Sequence, residues 1–400
     1  MALLSPDKST VELGHPGLVQ KLIARINQDG PLTFAEFMEM ALYDPEFGYY
    51  TTDPVIGAGG DYWTSSEVHP IYGNLLARQL AQAAIEIAPS GVFTILEMGA
   101  GLGTLAGHLL AALQREHPRL LDRLQYLIIE RSAGMVRRQQ ECLLPFIQNG
   151  IPVRWLPDLA ALPPDSISGA ILSNELVDAF PVHRVVQRPL GLREIFVGWS
   201  MALGAFIEVE APPGDPAVQH YFERLGLRLE DGQRAEVNLE SLDWMRQIAR
   251  RLTKGIVLTV DYGHTASDLY SPLRRDGTLL CYYRETVSDN PYVRIGLQDI
   301  TAHVDFTSLA LIGEQEGLRV TGFTNQLHFL MGLGIEGAFA GLDPESKESL
   351  FLRRLLRPGG MGTTFKVLIQ HKGMAAPVLD GLKSRPFLLD ALYSGAAAHG

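Results

Sequence analysis

The chain has 400 residues, 46% of them hydrophobic and 20% charged, the balance of an ordinary folded protein able to bury a sizeable core. Its net charge of −11 argues against a broad nucleic-acid or acidic-membrane surface. Two cysteines, Cys142 and Cys281, make neither a disulfide framework nor a four-ligand zinc site, so a reducing compartment and no metal are expected.

Residues 1–14 read as loose. A helix over 18–27 stops at Asp29-Gly30-Pro31. Thr33 then reads as an N-cap with Glu36 three residues on, a capping box opening a helix over 34–42. The stretch 43–50 is rich in aromatics and turn formers and reads as a packed loop. The glycine- and hydroxyl-rich stretch 57–70, which contains Glu67, has the composition of a lid over a bound small molecule. An amphipathic helix over 72–87 follows.

A short apolar run at 92–96 reads as a buried strand. It runs into I-L-E-M-G-A-G-L-G-T-L at 95–105, an acid followed by three alternating glycines and a helical pattern over 104–113. Strand, glycine turn and helix are the first unit of a doubly wound α/β sheet. A dinucleotide fingerprint needs its third glycine three residues after the second. Here the gap is one residue shorter, between Gly101 and Gly103, and the pattern E-x-G-x-G-x-G resembles motif I of class I S-adenosylmethionine-dependent methyltransferases. That resemblance implies Glu97 near the ligand's ammonium, with Gly99, Ala100, Gly101 and Gly103 letting the backbone come close.

A second strand over 126–129 ends in Glu130. An acid there suits the two ribose hydroxyls of an adenosine cofactor, because a carboxylate accepts two hydrogen bonds side by side. A helix over 133–143 and a strand over 153–155 lead to Asp158, expected either at the adenine amino group or as a plain N-cap. The fourth strand, 169–173, runs into Asn174-Glu175-Leu176-Val177-Asp178. Ligands of open α/β sheets bind beyond the carboxyl ends of strands. The methyltransferase resemblance implies that this loop, with Asn174, Glu175 and Asp178, faces the transferred methyl; it also reads as a short helix capped by Asn174, with Glu175 and Asp178 in its first turn.

A meander (183–187, 192–199, 205–210) and helices over 217–225 and 239–252 form an insertion before a fifth strand at 255–260. Further strands are expected at 279–283, 318–323 and 365–371, with helices over 307–316, 327–333 and 350–356. The expected organisation is an N-terminal helical and lid segment (1–70), a core first half (71–182), a substrate-side insertion (183–254), a core second half (255–373) and a tail (374–400).

Six strings together carry a closer resemblance: P-L-T-F-A-E-F-M-E-M-A-L-Y-D-P-E-F-G-Y-Y (31–50), G-D-Y-W-T-S-S-E-V (60–68), E-M-G-A-G-L-G-T-L (97–105), S-N-E-L-V-D-A-F-P-V (173–182), V-D-Y-G (260–263) and D-I-T-A-H-V-D-F (299–306). From about 32 to 371 the chain resembles the MidA-like, complex I assembly-factor family of protein arginine methyltransferases. The resemblance implies a Rossmann-like, seven-stranded class I methyltransferase sheet, S-adenosylmethionine as cofactor, and an arginine-bearing protein substrate, in the mitochondrial members a complex I subunit.

A guanidinium stays charged at neutral pH and needs carboxylates to hold it and to take up its proton. Glu175 and Asp178 are the expected pair, with Asp261, His303 and Asp305 behind them. Competing readings are a small-molecule methyltransferase, a non-catalytic assembly chaperone and, least favoured by the glycine spacing, a nicotinamide dehydrogenase. No nucleic-acid partner and no membrane insertion is expected, since no apolar run reaches the ~20 residues of a span. The oligomeric state is left open, a homodimer included. The early acids Asp7 and Glu12 fit neither a secretory signal nor a transit peptide. The expected location is the cytoplasm, or the mitochondrial matrix in a eukaryote.

Overall fold

The computed structural model describes residues 13–51, 69–284, 286–384 and 388–394. The chain opens with helix α1 (Pro16–Asp29), closed by Gly30 at φ +89°. Helix α2 (Phe34–Tyr43) starts at Thr33, whose side chain accepts the Glu36 amide while Glu36 returns a bond to the Thr33 amide. This is the capping box expected from the sequence. Helix α3 (Ile71–Ile87) leads into the central sheet.

That sheet contains β1 (Phe93–Met98), β2 (Leu124–Ile129), β3 (Val153–Leu156), β4 (Ile167–Asn174), β5 (Leu252–His264), β6 (Arg319–Asn325) and β7 (Phe365–Lys372). Their order across the sheet is β6-β7-β5-β4-β1-β2-β3. Strands β1 to β5 pair in parallel, and β7 runs antiparallel to both β5 and β6. A two-residue strand, Val304–Asp305, pairs with the end of β5 and brings the sheet to eight strands. The sequence reading contained no such strand, because two residues carry no period.

The period-2 alternation of side chains builds two cores, one on each face. Ile95, Leu172, Ile256 and Leu258 face α3, α4 (Thr104–Glu116) and α5 (Ala133–Gln148). Leu96, Ile171 and Val257 face α6 (Pro216–Leu225), α7 (Leu239–Arg251) and α8 (Phe306–Gln315). Strands covered on both faces read as continuous apolar runs, which is why β1, β4 and β5 were legible.

Between β4 and β5 the chain builds a second, antiparallel sheet. Gly191–Ser200 pairs with His183–Arg188 and Ala205–Ala211, and Arg234–Val237 pairs with His183–Arg188. Leu32–Thr33 adds to it opposite Val197 and Phe196. Helices α1 and α2 bury Leu18, Leu22, Phe34 and Phe37 with Val197 and Phe206 of this sheet. Residues 279–283, expected as a further strand, form Leu280–Tyr283 in a separate three-stranded sheet with Thr286–Ser288 and Asp299–Thr301.

Candidate active site

A cavity of about 560 Å³ opens at the carboxyl ends of β1, β2 and β4. After Met98, Gly99, Gly101 and Gly103 all take positive φ (+74°, +52° and +83°), the region that only glycine enters freely. At Gly101 an added Cβ would meet nothing within 4 Å, so this glycine fronts open space in the cavity wall. At Gly99 it would stand 3.0 Å from Leu176 Cδ1, which sets the glycine turn against the loop after β4.

Glu97 lines the cavity and is 2% exposed. The Tyr126 hydroxyl donates to its Oε2 at 2.7 Å. Burial pushes its carboxyl up to about 7, and the Tyr126 bond holds it back only in part. Glu130 accepts the Ser132 amide on Oε1 at 2.8 Å and the Gln139 amide on Oε2 at 2.9 Å. Burial raises its carboxyl, and these bonds lower it. Each oxygen keeps acceptor capacity toward a diol. Gln139 Nε2 also donates to the Gly101 carbonyl at 2.9 Å, and its Oε1 accepts Trp155 Nε1 at 2.9 Å. One buried amide thus ties the glycine turn to the acid after β2. Asp158 Oδ1 accepts the Ala161 amide at 3.1 Å, the N-cap expected as one of its two roles, and the residue lines the cavity.

On the β4 side Asn174 and Glu175 line the cavity. Asn174 Nδ2 donates to Glu175 Oε1 at 2.9 Å, and Asn174 Oδ1 accepts the Tyr72 hydroxyl at 2.5 Å. Glu175 stands at φ +54°, a left-handed conformation that costs a non-glycine residue about 1–3 kcal/mol. Its amide donates to the Val260 carbonyl at 2.9 Å, which holds that turn on β5.

Eight predicted residues therefore meet at one cavity: Glu97, Gly99, Ala100, Gly101, Glu130, Asp158, Asn174 and Glu175. Three others do not line it. Gly103 caps α4, with Gln139 Cα 3.3 Å from where its Cβ would stand. Asp178 lies in a short 3-10 turn, Val177–Ala179, and is buried beside Asp261, Asp299 and Glu175. Burial and these acids drive its carboxyl well above the ordinary carboxylate range. His303 hydrogen-bonds His264 at 3.1 Å, and burial with the neighbouring His264, Arg274 and Lys366 pushes it down to about 3, too weak a base for neutral pH. Glu67 and the proposed lid up to residue 68 lie outside the described residues. Of the second-line acids, Asp305 caps α8 through the Ser308 amide at 3.1 Å and accepts the Tyr221 hydroxyl at 2.7 Å. Asp261 accepts the backbone amides of Leu176, Val177 and Asp178.

The sequence reading missed several wall residues. Tyr43 and Tyr50 come from the aromatic stretch read as packing, and Arg131 stacks on Tyr43 at 3.6 Å from the ring centroid. Glu240, Asp243, Trp244 and Gln247 come from α7. Their spacing puts them on one helix face beside the apolar stripe of Leu242, Met245 and Ile248, a signal the sequence did contain. Burial and nearby Glu39 push Glu240 up to about 7.

Glycine turn, acid after β2 and acid-lined loop after β4 on a mixed sheet define an α/β methyltransferase that uses S-adenosylmethionine. The chain belongs to the family described as "Putative S-adenosyl-L-methionine-dependent methyltransferase", whose model matches residues 75–324. A Burkholderia thailandensis protein crystallised with S-adenosyl-homocysteine is 31% identical, superposes with a TM-score of 0.83, and shares 96% of this chain and 99% of its own. The protein arginine methyltransferase NDUFAF7, mitochondrial, of Mus musculus is 28% identical over 385 residues, 89% of this chain and 85% of that one. Its Drosophila melanogaster homolog is 28% identical over 400 residues, 93% of this chain and 89% of that one.

Proposed function

We propose that this methyltransferase acts on an arginine side chain of a protein, and that a subunit of respiratory complex I is the target. The observation that carries the substrate class is the charge of the wall. Glu175, Glu240 and Asp243 face the cavity, and Arg131 is the one lysine or arginine among its described lining residues. A wall of that sign suits a cation that stays charged at neutral pH, which arginine does. The curated relatives carry protein arginine methyltransferase in their names.

Glu97, Glu130, Asp158 and the 99–101 turn are the residues that would hold S-adenosylmethionine: Gly101 leaves room, and the acids match an ammonium, a diol and an amino group. Bound there, it supplies an electrophilic methyl on a sulfonium. Glu175 holds the guanidinium through paired hydrogen bonds and aims one terminal nitrogen at that methyl. A new N–C bond forms as the S–C bond breaks, and the proton displaced from nitrogen passes to the Glu175 carboxylate. Residues 183–254, including α7, supply the substrate-side wall. The compartment is the cytoplasm in a bacterium and the mitochondrial matrix in a eukaryote. Among the described residues no helix is long and apolar enough to cross a membrane.

The test uses S-adenosylmethionine with a tritiated methyl group and a protein extract from cells lacking this chain. Label recovered as methylarginine, and lost with Glu175→Gln, is expected. Intact S-adenosylmethionine binding with no labelled protein overturns the reading.

A further inference from the structure

Tyr72 lies in the first turn of α3, is 1% exposed and does not line the cavity. Its hydroxyl nevertheless reaches Asn174 Oδ1, 102 residues further along the chain. Asn174 in turn donates from Nδ2 to Glu175 Oε1. The three groups have a forced direction. An ionised carboxylate only accepts, so the amide must turn its NH2 to Glu175 and its oxygen away. That oxygen then needs a donor, and a buried phenol is one.

The helix carrying Tyr72 is fixed from both sides. Next to it, Gly73 packs so close to α4 that a Cβ would fall 2.5 Å from His108 Cβ. About two and three turns further on, Gln79 Oε1 accepts the Gly381 amide at 2.8 Å, and Gln82 Oε1 accepts the Asp380 amide at 2.9 Å. The helix that follows the glycine turn therefore sets where the Tyr72 hydroxyl stands.

We propose that Tyr72 is a positioning residue for methyl transfer: its hydroxyl locks the Asn174 amide in the orientation that holds the Glu175 carboxylate toward the substrate. This rests on the reading of Glu175 given above. Without the hydroxyl the Asn174 amide loses the partner that fixes its flip, and Glu175 loses a donor that favours its charged, substrate-facing form.

The test compares Tyr72→Phe, Asn174→Ala, the double variant and Glu175→Gln in the full chain, with the tritiated-methyl assay on extract protein. Tyr72→Phe is expected to lower kcat about 10- to 100-fold, the size of a lost hydrogen bond serving a charged group. Its KM for S-adenosylmethionine stays within about threefold, because the phenol bonds Asn174 and not Glu97, Glu130, Asp158 or the 99–101 turn. The acid limb of its rate profile moves to higher pH. In the Asn174→Ala background the Tyr72 change costs nothing more, within about twofold, because the phenol acts only through that amide.

A Tyr72→Phe rate within about twofold of the parent overturns the proposal. So does an equal loss in both backgrounds, or a lost capacity to bind S-adenosyl-homocysteine, each of which marks a merely structural residue. A fully active Glu175→Gln overturns the reading of Glu175 and this proposal with it. An inactive Glu175→Gln beside an unaffected Tyr72→Phe overturns the proposal alone.

Discussion

Asp261 Oδ2 lies 2.8 Å from the Val177 amide, and the same oxygen accepts the amides of Leu176 at 3.2 Å and Asp178 at 3.4 Å. Its other oxygen takes the Tyr262 amide at 2.9 Å. One fully buried carboxylate at the end of β5 thus shapes the turn that follows Glu175. Burial pushes the Asp261 carboxyl up to about 7, and the backbone amides favour its charged form.

Asp261→Asn keeps the shape but offers a single acceptor oxygen and adds donors facing donors. The variant is expected to lose about 1–3 kcal/mol, read as a melting temperature lowered by a few degrees. Displacement of the turn should cost roughly a hundredfold in methyl transfer. S-adenosyl-homocysteine binding, read by calorimetry, should change little, because Asp261 does not line the cavity. A variant with parental activity removes Asp261 from the account of the loop.

Gly101→Val tests the cofactor wall. Gly101 has φ +52° and open space where a side chain would go. Valine would be strained there by about 1–3 kcal/mol and would point into the volume left for the ligand. Calorimetric titration should show saturable binding of S-adenosylmethionine by the parent and none by the variant, with NAD bound by neither. Retained affinity would move the ligand off the glycine turn.

Local pattern carried much of this. The turn at Gly99, Gly101 and Gly103 was readable because strand, turn and helix sit within one continuous stretch. Glu130 was readable because it ends an apolar run. Asp178 and His303, expected at the rim, are not among the residues that line the cavity. Their orientation is decided by groups far along the chain: Asp178 by Asp261, 83 residues on, and His303 by His264, 39 residues back. Tyr72 and Gln139 are invisible for the same reason. Each sits in a helix whose period shows only that its face is buried, while its value comes from polar partners on other elements.

Gln139 offers the third test. It is fully buried and bridges the Gly101 carbonyl, Glu130 and Trp155. Gln139→Leu fills the space but leaves the Trp155 N–H and the Gly101 carbonyl without that partner. We expect a loss of about 1–3 kcal/mol in stability and about tenfold weaker S-adenosylmethionine binding, as Glu130 keeps only its bond from the Ser132 amide. Unchanged affinity would show that Glu130 holds its place without the bridge.

The last test is the pH dependence set by Glu97. Its folded carboxyl titrates at about 7 against an ordinary 4.5, with burial the main cause. Between those values the unfolded chain has already lost the proton that the folded chain keeps. The contribution of Glu97 to stability is therefore complete below about 4.5 and falls as pH rises through about 7. Glu97→Gln should remove that slope from melting curves taken across the window. Ligand binding runs the other way. An ammonium placed at Glu97 favours the anion, so binding at pH 6 should expel a proton from the carboxyl, and affinity should weaken as pH falls through 7. Calorimetry of S-adenosylmethionine binding at pH 6, in two buffers of different ionisation enthalpy, reads that proton directly. Release in the parent that vanishes in Glu97→Gln places the ammonium at Glu97; equal release in both puts it elsewhere on the wall.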